Sequence, residues 1–379
     1  MKNSFTFKKQ FLFYVLYRLI IVCVMYGLLN ELTDSLGDAT YYMGLADDHE
    51  PESWRSQLTL WIYVNLFGQD KLIASFLLSI VGPILLWSSV KRFIYDKYTY
   101  LWWLVLALPS MVVWTAIPSK EALVWPVAIF YAVIEGTNLA RNDIDKWNNL
   151  RSLILRFSLL SLLYILRGVL VTPLFLIGIT TTIFPLIRLK YKPLRTSQLG
   201  FSLIPIITLS LGFLIVTIVY LTNRFFIEWI DMVVTGSFLS LDANFSRYFL
   251  VDLGGFYQFS NFIRLPFLAL FPTVSEVLNS PMKSMFILLD SFIFLFLYYI
   301  TWTRALRKCS ENTYLKRVLN IIFFGITFIY LTLFCVPGAF NVGTAQRHRV
   351  NFIPPGIVFP LAVISQLEKD KKFNYSILK

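Results

Sequence analysis

Several residues of this 379-residue chain carry side chains suited to acid–base chemistry or to phosphate binding. A carboxylate takes a proton from a hydroxyl group within hydrogen-bond reach, and cationic side chains hold phosphate through charge-assisted hydrogen bonds. The residues are Asp38, Lys120, Glu121, Arg167, Arg347, His348 and Arg349. They lie at the ends of hydrophobic segments, where charge is costly, so we expect them to have a function.

Asp38 follows the first hydrophobic segment and precedes Tyr41 and Tyr42. A carboxylate near the membrane surface, beside aromatic residues, is suited to deprotonate a sugar hydroxyl. We therefore expect Asp38 to be the catalytic base. The alternative is an acidic loop end that caps a helix.

The sequence Pro-Ser-Lys-Glu at 118–121 is typical of a helix start. Ser119 is predicted to be the N-cap, and the charge of Glu121 suits the first turn, whereas that of Lys120 does not. Lys120 and the backbone N–H groups of the helix start would together bind phosphate. The alternative is an ion pair between Lys120 and a loop carboxylate. Glu121 is the second candidate for the catalytic carboxylate.

Arg167 lies in the turn Leu166-Arg167-Gly168 of the apolar stretch 152–187, which is predicted to be a tight hairpin of two helices. An arginine next to hydrocarbon marks a partner or a pathway, and we expect this one to bind phosphate. The alternative is a side chain that simply extends to the membrane surface.

Arg347, His348 and Arg349 precede the last hydrophobic segment. The planar guanidinium groups suit bidentate phosphate binding, and His348 is suited to bond a phosphate or a sugar. Asp290 lies inside another hydrophobic segment, where an unpaired carboxylate is costly. We expect Asp290 to pair with one of these cations.

The composition indicates an integral membrane protein. The chain is 57% hydrophobic and only 15% charged, whereas soluble domains have about 25% charged residues. Apolar runs occur at 11–30, 72–90, 99–117, 121–138, 152–187, 201–222, 284–302, 318–336 and 353–367. Since a span needs about 20 apolar residues, these runs predict an all-α bundle of about ten transmembrane helices in a single integral membrane domain, 1–379. The long outer loops, 31–71 and 223–283, are predicted to carry helices at the membrane surface.

The distribution of charge predicts the orientation. Segments expected inside carry more than twice as many Lys and Arg residues as those expected outside, which fits the positive-inside rule and puts both termini in the cytoplasm. The net charge of +12 then reflects topology and contact with anionic lipid, so nucleic-acid binding is not needed to explain it. Cys23, Cys309 and Cys335 have no disulfide or metal spacing, and we predict no metal site.

The order of these motifs resembles the multi-span glycosyltransferases of the GT-C superfamily. The resemblance is carried by an Asp in the first outer loop, a Pro-Ser-Lys-Glu-Ala turn after the third span, an Arg in a later hairpin and an Arg-His-Arg before the last span. More narrowly, the chain looks like membrane proteins of bacterial surface-polysaccharide assembly, including O-antigen polymerases.

The resemblance implies an enzyme of the bacterial inner membrane that takes a sugar or oligosaccharide from a polyprenyl phosphate or diphosphate at the periplasmic face, for O-antigen or capsule synthesis. Asp38 would match the first-loop acid, and Lys120, Arg167, Arg347 and Arg349 would match donor-phosphate contacts. The expected partners are the lipid-linked donor and acceptor, membrane lipids and other polysaccharide-assembly proteins. No cofactor is expected, although the Gly-Asp-Ala of the first loop, where many members have Asp-Glu, leaves a divalent cation open.

Two other functions are kept as alternatives. A flippase or other transporter of lipid-linked oligosaccharide would need polar residues along a route through both leaflets, whereas the inner halves of the predicted spans are almost free of charged residues. A non-catalytic scaffold of a polysaccharide assembly complex would leave the outer basic residues unexplained. We therefore favour the transferase.

The predicted orientation can be tested by cysteine labelling. A cysteine introduced at Ser35 or Thr344 should react with a membrane-impermeant thiol reagent in intact spheroplasts, because both positions are predicted outside. A cysteine at Asn142 should react only after the cells are opened. The reverse labelling pattern would invert the topology and every assignment that depends on it.

Overall fold

The computed structural model describes residues 2–28, 54–67, 70–91, 93–94, 96–141, 150–190, 259–310, 312–335, 339 and 342–377. Every element in these ranges is helical and none is a strand, which confirms the predicted all-α class.

The described chain forms α-helices of 6 to 28 residues. The first eight are α1 (Lys2–Leu28), α2 (Trp54–Phe67), α3 (Lys71–Val90), α4 (Thr99–Leu106), α5 (Pro109–Ala116), α6 (Lys120–Arg141), α7 (Leu150–Arg167) and α8 (Thr172–Lys190). The others are α9 (Phe259–Leu270), α10 (Val274–Asn279), α11 (Pro281–Lys308), α12 (Thr313–Ile329), α13 (Val342–Ile353) and α14 (Phe359–Ile377). A 3₁₀ turn, Gly168–Val171, joins α7 to α8, and a π-helical turn, Pro354–Val358, joins α13 to α14.

The described residues contain four helices long and apolar enough to cross a membrane. They are Lys71–Val90, Lys120–Arg141, Ser284–Lys308 and Ala345–Asp370. The pair α4 and α5, bent by 56°, makes a fifth if it is one span. These helices indicate a membrane protein but do not confirm about ten spans. The predicted span 201–222 lies outside the described residues, and the apolar helices Gln10–Val24 and Thr172–Thr182 are shorter than a full span.

Helices α7 and α8 form the predicted hairpin. Helix α7 ends at Arg167, and Gly168 adopts a left-handed φ of 61°, which glycine reaches without the steric cost of a side chain. Further from the turn, Arg156 Nη2 donates to Thr182 Oγ1 at 2.7 Å. The Tyr164 and Phe175 rings pack edge to face with centroids 6.2 Å apart. The contact nearer the turn joins residues 4 before and 7 after Gly168, and the contact further away joins residues 12 before and 14 after it, so the two helices run antiparallel.

Helices also occupy the described parts of both long predicted loops. On α2, Trp54 and Trp61 are 54% and 64% exposed, whereas Tyr63 is fully buried. On α9, Phe267 is exposed and Leu268 is buried. Each helix therefore has at least one large aromatic side chain that the described part of the protein leaves exposed. Their place at the membrane surface stays a prediction.

Helix α6 lies at the centre of the bundle and packs most extensively against α14, with α3 and α7 on its other sides. Gly136 allows the close approach of α14, because a Cβ atom there would lie 2.5 Å from the carbonyl oxygen of Phe359 and 2.9 Å from Cβ of Ala362. Interiors packed this tightly have no space for an added methyl group. The position of α6 relative to α14 therefore depends on this glycine.

We predict that Gly136→Ala destabilises the protein by about 1–3 kcal/mol, because the methyl group would overlap backbone atoms that cannot turn away. Apparent Tm in detergent measures the effect. Gly325→Ala is the matched control: its Cβ would also be too close to a neighbour, at 2.4 Å, but that neighbour is the Cδ2 end of the flexible Leu176 side chain. An equal loss of stability in both variants would contradict the proposed role of Gly136.

Candidate functional site

The site is organised around the start of helix α6. Ser119 Oγ accepts a hydrogen bond from the backbone N–H of Ala122 at 3.2 Å, which confirms the predicted N-cap. The buried Tyr63 hydroxyl donates to the Ser119 carbonyl at 2.7 Å and accepts from the Ser119 N–H at 3.1 Å. Helix α2 is thereby attached to the first turn of α6.

Glu121 lies in this first turn and connects three helices. It is 1% exposed, and its Oε1 accepts a hydrogen bond from Arg347 Nε at 2.7 Å, one from Asn351 Nδ2 at 3.3 Å and one from Arg167 Nη2. Arg347 and Asn351 belong to α13, and Arg167 ends α7. The structure thus brings together three of the predicted site residues, which lie far apart in sequence.

Further contacts fix the two arginines in place. Arg167 Nε donates to Asn351 Oδ1 at 3.3 Å, and the Arg347 guanidinium lies over the Trp114 ring, 5.7 Å from its centroid. The side chain of Arg347 remains 18% exposed, whereas that of Glu121 is fully buried. Arg347 therefore has the more exposed side chain of the two arginines, since that of Arg167 is 9% exposed.

Lys120 points to the neighbouring helix. Its Nζ donates to Ser56 Oγ at 2.9 Å, so the first turns of α6 and α2 are in contact. Lys120, Arg167 and Arg347 then bring three cationic side chains from three helices to the same end of the bundle. Their predicted role in phosphate binding stays a prediction.

A small cavity lies beside the Glu121 carboxylate and is bordered by Arg167, Asn351 and apolar residues of α6, α7 and α8. It has room for about one water molecule. Glu121 Oε2 is buried and has no hydrogen-bond partner among the described residues. In this arrangement Glu121 holds the arginines and has no room for a sugar beside it.

Arg349 has a different environment from Arg347. It is fully buried, its Nη1 donates to Asp290 Oδ2 at 2.8 Å, and its Nη2 donates to the carbonyl oxygens of Ala269 and Leu270 at 2.9 and 2.8 Å. This contact confirms the expected pairing of Asp290 with one of the cations. At about 100° per residue, Arg347 and Arg349 lie on opposite faces of α13. They therefore do not line one common surface, and Arg349 has the contacts of a structural residue.

The two remaining candidates are separate from the ion-pair group. His348 is 8% exposed, with Nδ1 3.1 Å from the carbonyl oxygen of Phe334. Asp38 lies outside the described residues. The roles predicted for both residues stay predictions. In the described part of the chain, no group of three or more His, Cys, Asp or Glu side chains is placed to hold a metal ion.

The sequence did not predict a second buried ion pair. Arg156 Nη2 donates to Glu135 Oε2 at 2.8 Å, and Thr181 Oγ1 donates to the same oxygen at 2.6 Å. Glu135 lies 14 residues beyond Glu121 on α6, about 21 Å along the helix axis. This ion pair is an exception to the expectation that the inner halves of the spans are almost free of charged residues.

Asn351 was also missed, although helical spacing could have revealed it. It follows Arg347 by four residues, so the two side chains lie on the same face of α13. The Asn351 Nδ2 also donates to the Arg347 carbonyl oxygen at 3.0 Å. By contrast, no local pattern marks Glu135 as the partner of Arg156, because the two residues lie on different helices.

Comparison of the chain with models of known protein families, with curated proteins and with solved structures gave no match.

Asp290→Asn is predicted to cost about 3–5 kcal/mol of stability, because it leaves the buried Arg349 guanidinium without its counter-charge. Apparent Tm of the purified protein in detergent measures the loss. The double variant Asp290→Asn with Arg349→Met should recover part of the loss, because it also removes the unpaired buried charge. The asparagine oxygen can still accept the hydrogen bond from the Ser110 N–H, which lies 2.8 Å from Asp290 Oδ1 in the structure. A double variant less stable than Asp290→Asn alone would contradict this account.

Proposed function

We propose that this protein is a membrane glycosyltransferase that takes a sugar or oligosaccharide from a polyprenyl phosphate or diphosphate. The observation that carries the proposal is the convergence of Arg167 and Arg347 on Glu121, next to Lys120, at one end of a bundle of apolar helices. A lipid-linked phosphate combines an apolar tail with an anionic head. Apolar helices with cationic side chains at one end suit both parts.

The chemistry assigned to the arginines is binding and stabilisation of the departing phosphate. Guanidinium groups offer paired, parallel N–H donors that match phosphate oxygens. Donors held in place before the reaction stabilise charge that develops in the transition state, often the largest catalytic contribution. Glu121 is a positioning residue in this scheme, because it fixes Arg167 and Arg347 relative to each other.

Asp38 is assigned the role of general base. The acceptor hydroxyl oxygen attacks the anomeric carbon of the donor sugar while Asp38 takes the hydroxyl proton. A new glycosidic C–O bond forms, and the C–O bond to the carrier phosphate breaks with its electron pair leaving on the phosphate oxygen. Since phosphate is a good leaving group, no acid is needed on that side.

The proposed setting is the periplasmic face of a bacterial inner membrane, in the synthesis of O-antigen or capsule. The substrates are a lipid-linked donor and acceptor, and the reaction is either the transfer of one sugar or the polymerisation of repeat units. The predicted outer location of Lys120, Arg167 and Arg347 supports this side of the membrane.

The pair Glu135–Arg156 favours a second candidate, a transporter of lipid-linked oligosaccharide, because it places charge deep in the bundle. The residues between the two ion pairs argue against it: Trp125, Ala128 and Leu163 line the cavity between these levels with apolar side chains. A transporter would move labelled lipid-linked saccharide across proteoliposome membranes without forming a glycosidic bond.

Arg347→Lys should lower the rate of sugar transfer by about 10- to 150-fold although the charge is kept. An ammonium group cannot make two parallel bonds to phosphate, and a lost charge-assisted hydrogen bond costs about 1.5–3 kcal/mol. The measurement is glycosidic product formed by purified protein at equal protein level. Arg264→Lys is the matched control, since Arg264 is exposed on α9. Equal activity of both variants would remove Arg347 from the phosphate site.

The lipid-linked saccharide profile of cells that lack the protein tests the function as a whole. Lipopolysaccharide with a single repeat unit would identify a polymerase, and a repeat unit short of one sugar would identify a monosaccharide transferase. An unchanged profile and unchanged surface polysaccharide would contradict both.

A further inference from the structure

The Arg55 side chain is held in an unusual way for a cation. Its guanidinium lies between two aromatic rings, 5.2 Å from the ring centroid of Trp54 and 5.1 Å from that of Tyr164. Its Nε is buried and has no hydrogen-bond partner among the described residues. No described carboxylate lies within salt-bridge distance of Arg55. Two cation–π contacts therefore position a charge that no anion in the described part of the protein neutralises.

The Arg55 guanidinium packs against the backbone of Gly168, which has no side chain in its way. A Cβ atom on Gly168 would lie 2.7 Å from Arg55 Nη1, and Gly168 has the left-handed φ of 61°. Any other residue would be strained there and would push the guanidinium away. The hairpin turn that follows Arg167 thus also provides the surface against which Arg55 lies.

Arg55 lies next to the proposed phosphate site but does not belong to its ion-pair group. The neighbouring residue Ser56 accepts the hydrogen bond from Lys120, and Gly168 directly follows Arg167. Arg55 itself makes no contact with Glu121 in the structure. It is therefore a separate cationic position at the same end of the bundle.

The surroundings of Arg55 are apolar and exposed. Trp54 and Tyr164 are 54% and 47% exposed, and Ile165 and Trp61 on the same two helices are 39% and 64% exposed. Aromatic side chains of this kind are common at the height of lipid headgroups. An anion that reaches Arg55 would have to tolerate apolar neighbours on both sides, as a phosphate attached to a lipid tail does.

We propose that Arg55, between Trp54 and Tyr164, is a second anion-binding site that receives a phosphate group carried by a membrane lipid. The aromatic rings orient the plane of the guanidinium, and its Nη groups donate to the phosphate oxygens. The lipid tail lies along the exposed apolar surface of α2 and α7. The proposal of this binding site does not depend on whether the protein transfers sugar.

The test is equilibrium binding of a radiolabelled polyprenyl monophosphate to the purified full-length protein in neutral detergent. Arg55→Gln should raise the Kd about tenfold or more, as expected for a lost charge-assisted hydrogen bond. Arg264→Gln, which removes an equal charge from an exposed position on α9, should leave the Kd unchanged. An unchanged Kd for Arg55→Gln, or an equal rise for both variants, would overturn the proposal.

Two aromatic variants test the ring contact. Tyr164→Phe keeps the ring and should bind as the wild type does, whereas Tyr164→Leu removes the ring and should weaken binding. Equal binding by both would show that the cation–π contact does not position Arg55, and would overturn that part of the proposal.

Competitors identify the source of the phosphate. Phosphatidylglycerol that displaces the probe would indicate an ordinary membrane phospholipid, and failure to displace it would indicate the polyprenyl carrier. Inorganic phosphate that displaces the probe equally well, or polyprenol that binds as tightly, would overturn the assignment to a lipid phosphate. A protein that binds lipid through Arg55 but forms no glycosidic bond would contradict the proposed function alone.

Discussion

The buried ion pair between Asp290 and Arg349 is the contact on which the arrangement of the site depends. Asp290 on α11 also accepts from the Ser110 N–H at the start of α5, and Arg349 on α13 also donates to the last carbonyl groups of α9. One pair of charges therefore joins four helices. A carboxylate at a helix start and a cation at a helix end both interact favourably with the helix dipoles.

This pair determines which residues face Glu121. Once Arg349 fixes one face of α13, the opposite face, with Arg347 and Asn351, is directed towards the start of α6. The Arg347 guanidinium then lies 2.7 Å from Glu121 Oε1 and over the Trp114 ring. A buried ion pair on one face of a helix thus positions a candidate ligand-binding residue on the other face, and the two arginines have different surroundings although only one residue separates them.

Much of this arrangement could be predicted from the sequence, where the signal is local. The all-helical class follows from apolar run length, the Ser119 cap from the residues around it, and the hairpin from a glycine in a long apolar stretch. The cost of burying charge was enough to predict a partner for Asp290. Local patterns could not show that Arg167 and Arg347 share Glu121, or that Glu135 pairs with Arg156, because these contacts depend on how the helices pack. The opposite directions of Arg347 and Arg349 were predictable from helical periodicity, but a cluster of similar residues suggested one shared role.

The two buried carboxylates of α6 differ in how completely they are hydrogen-bonded. Both oxygens of Glu135 accept hydrogen bonds, Oε1 from Arg156 and Oε2 from Arg156 and Thr181, although the buried Arg156 Nη1 has no partner among the described residues. Glu121 instead accepts three hydrogen bonds on Oε1, while Oε2 has no partner among the described residues. Glu121 therefore lacks hydrogen bonds on one of its two oxygens, and a buried acceptor without a partner is costly. The incomplete hydrogen bonding of Glu121 is consistent with a binding site, and the complete hydrogen bonding of Glu135 with a structural role deeper in the bundle.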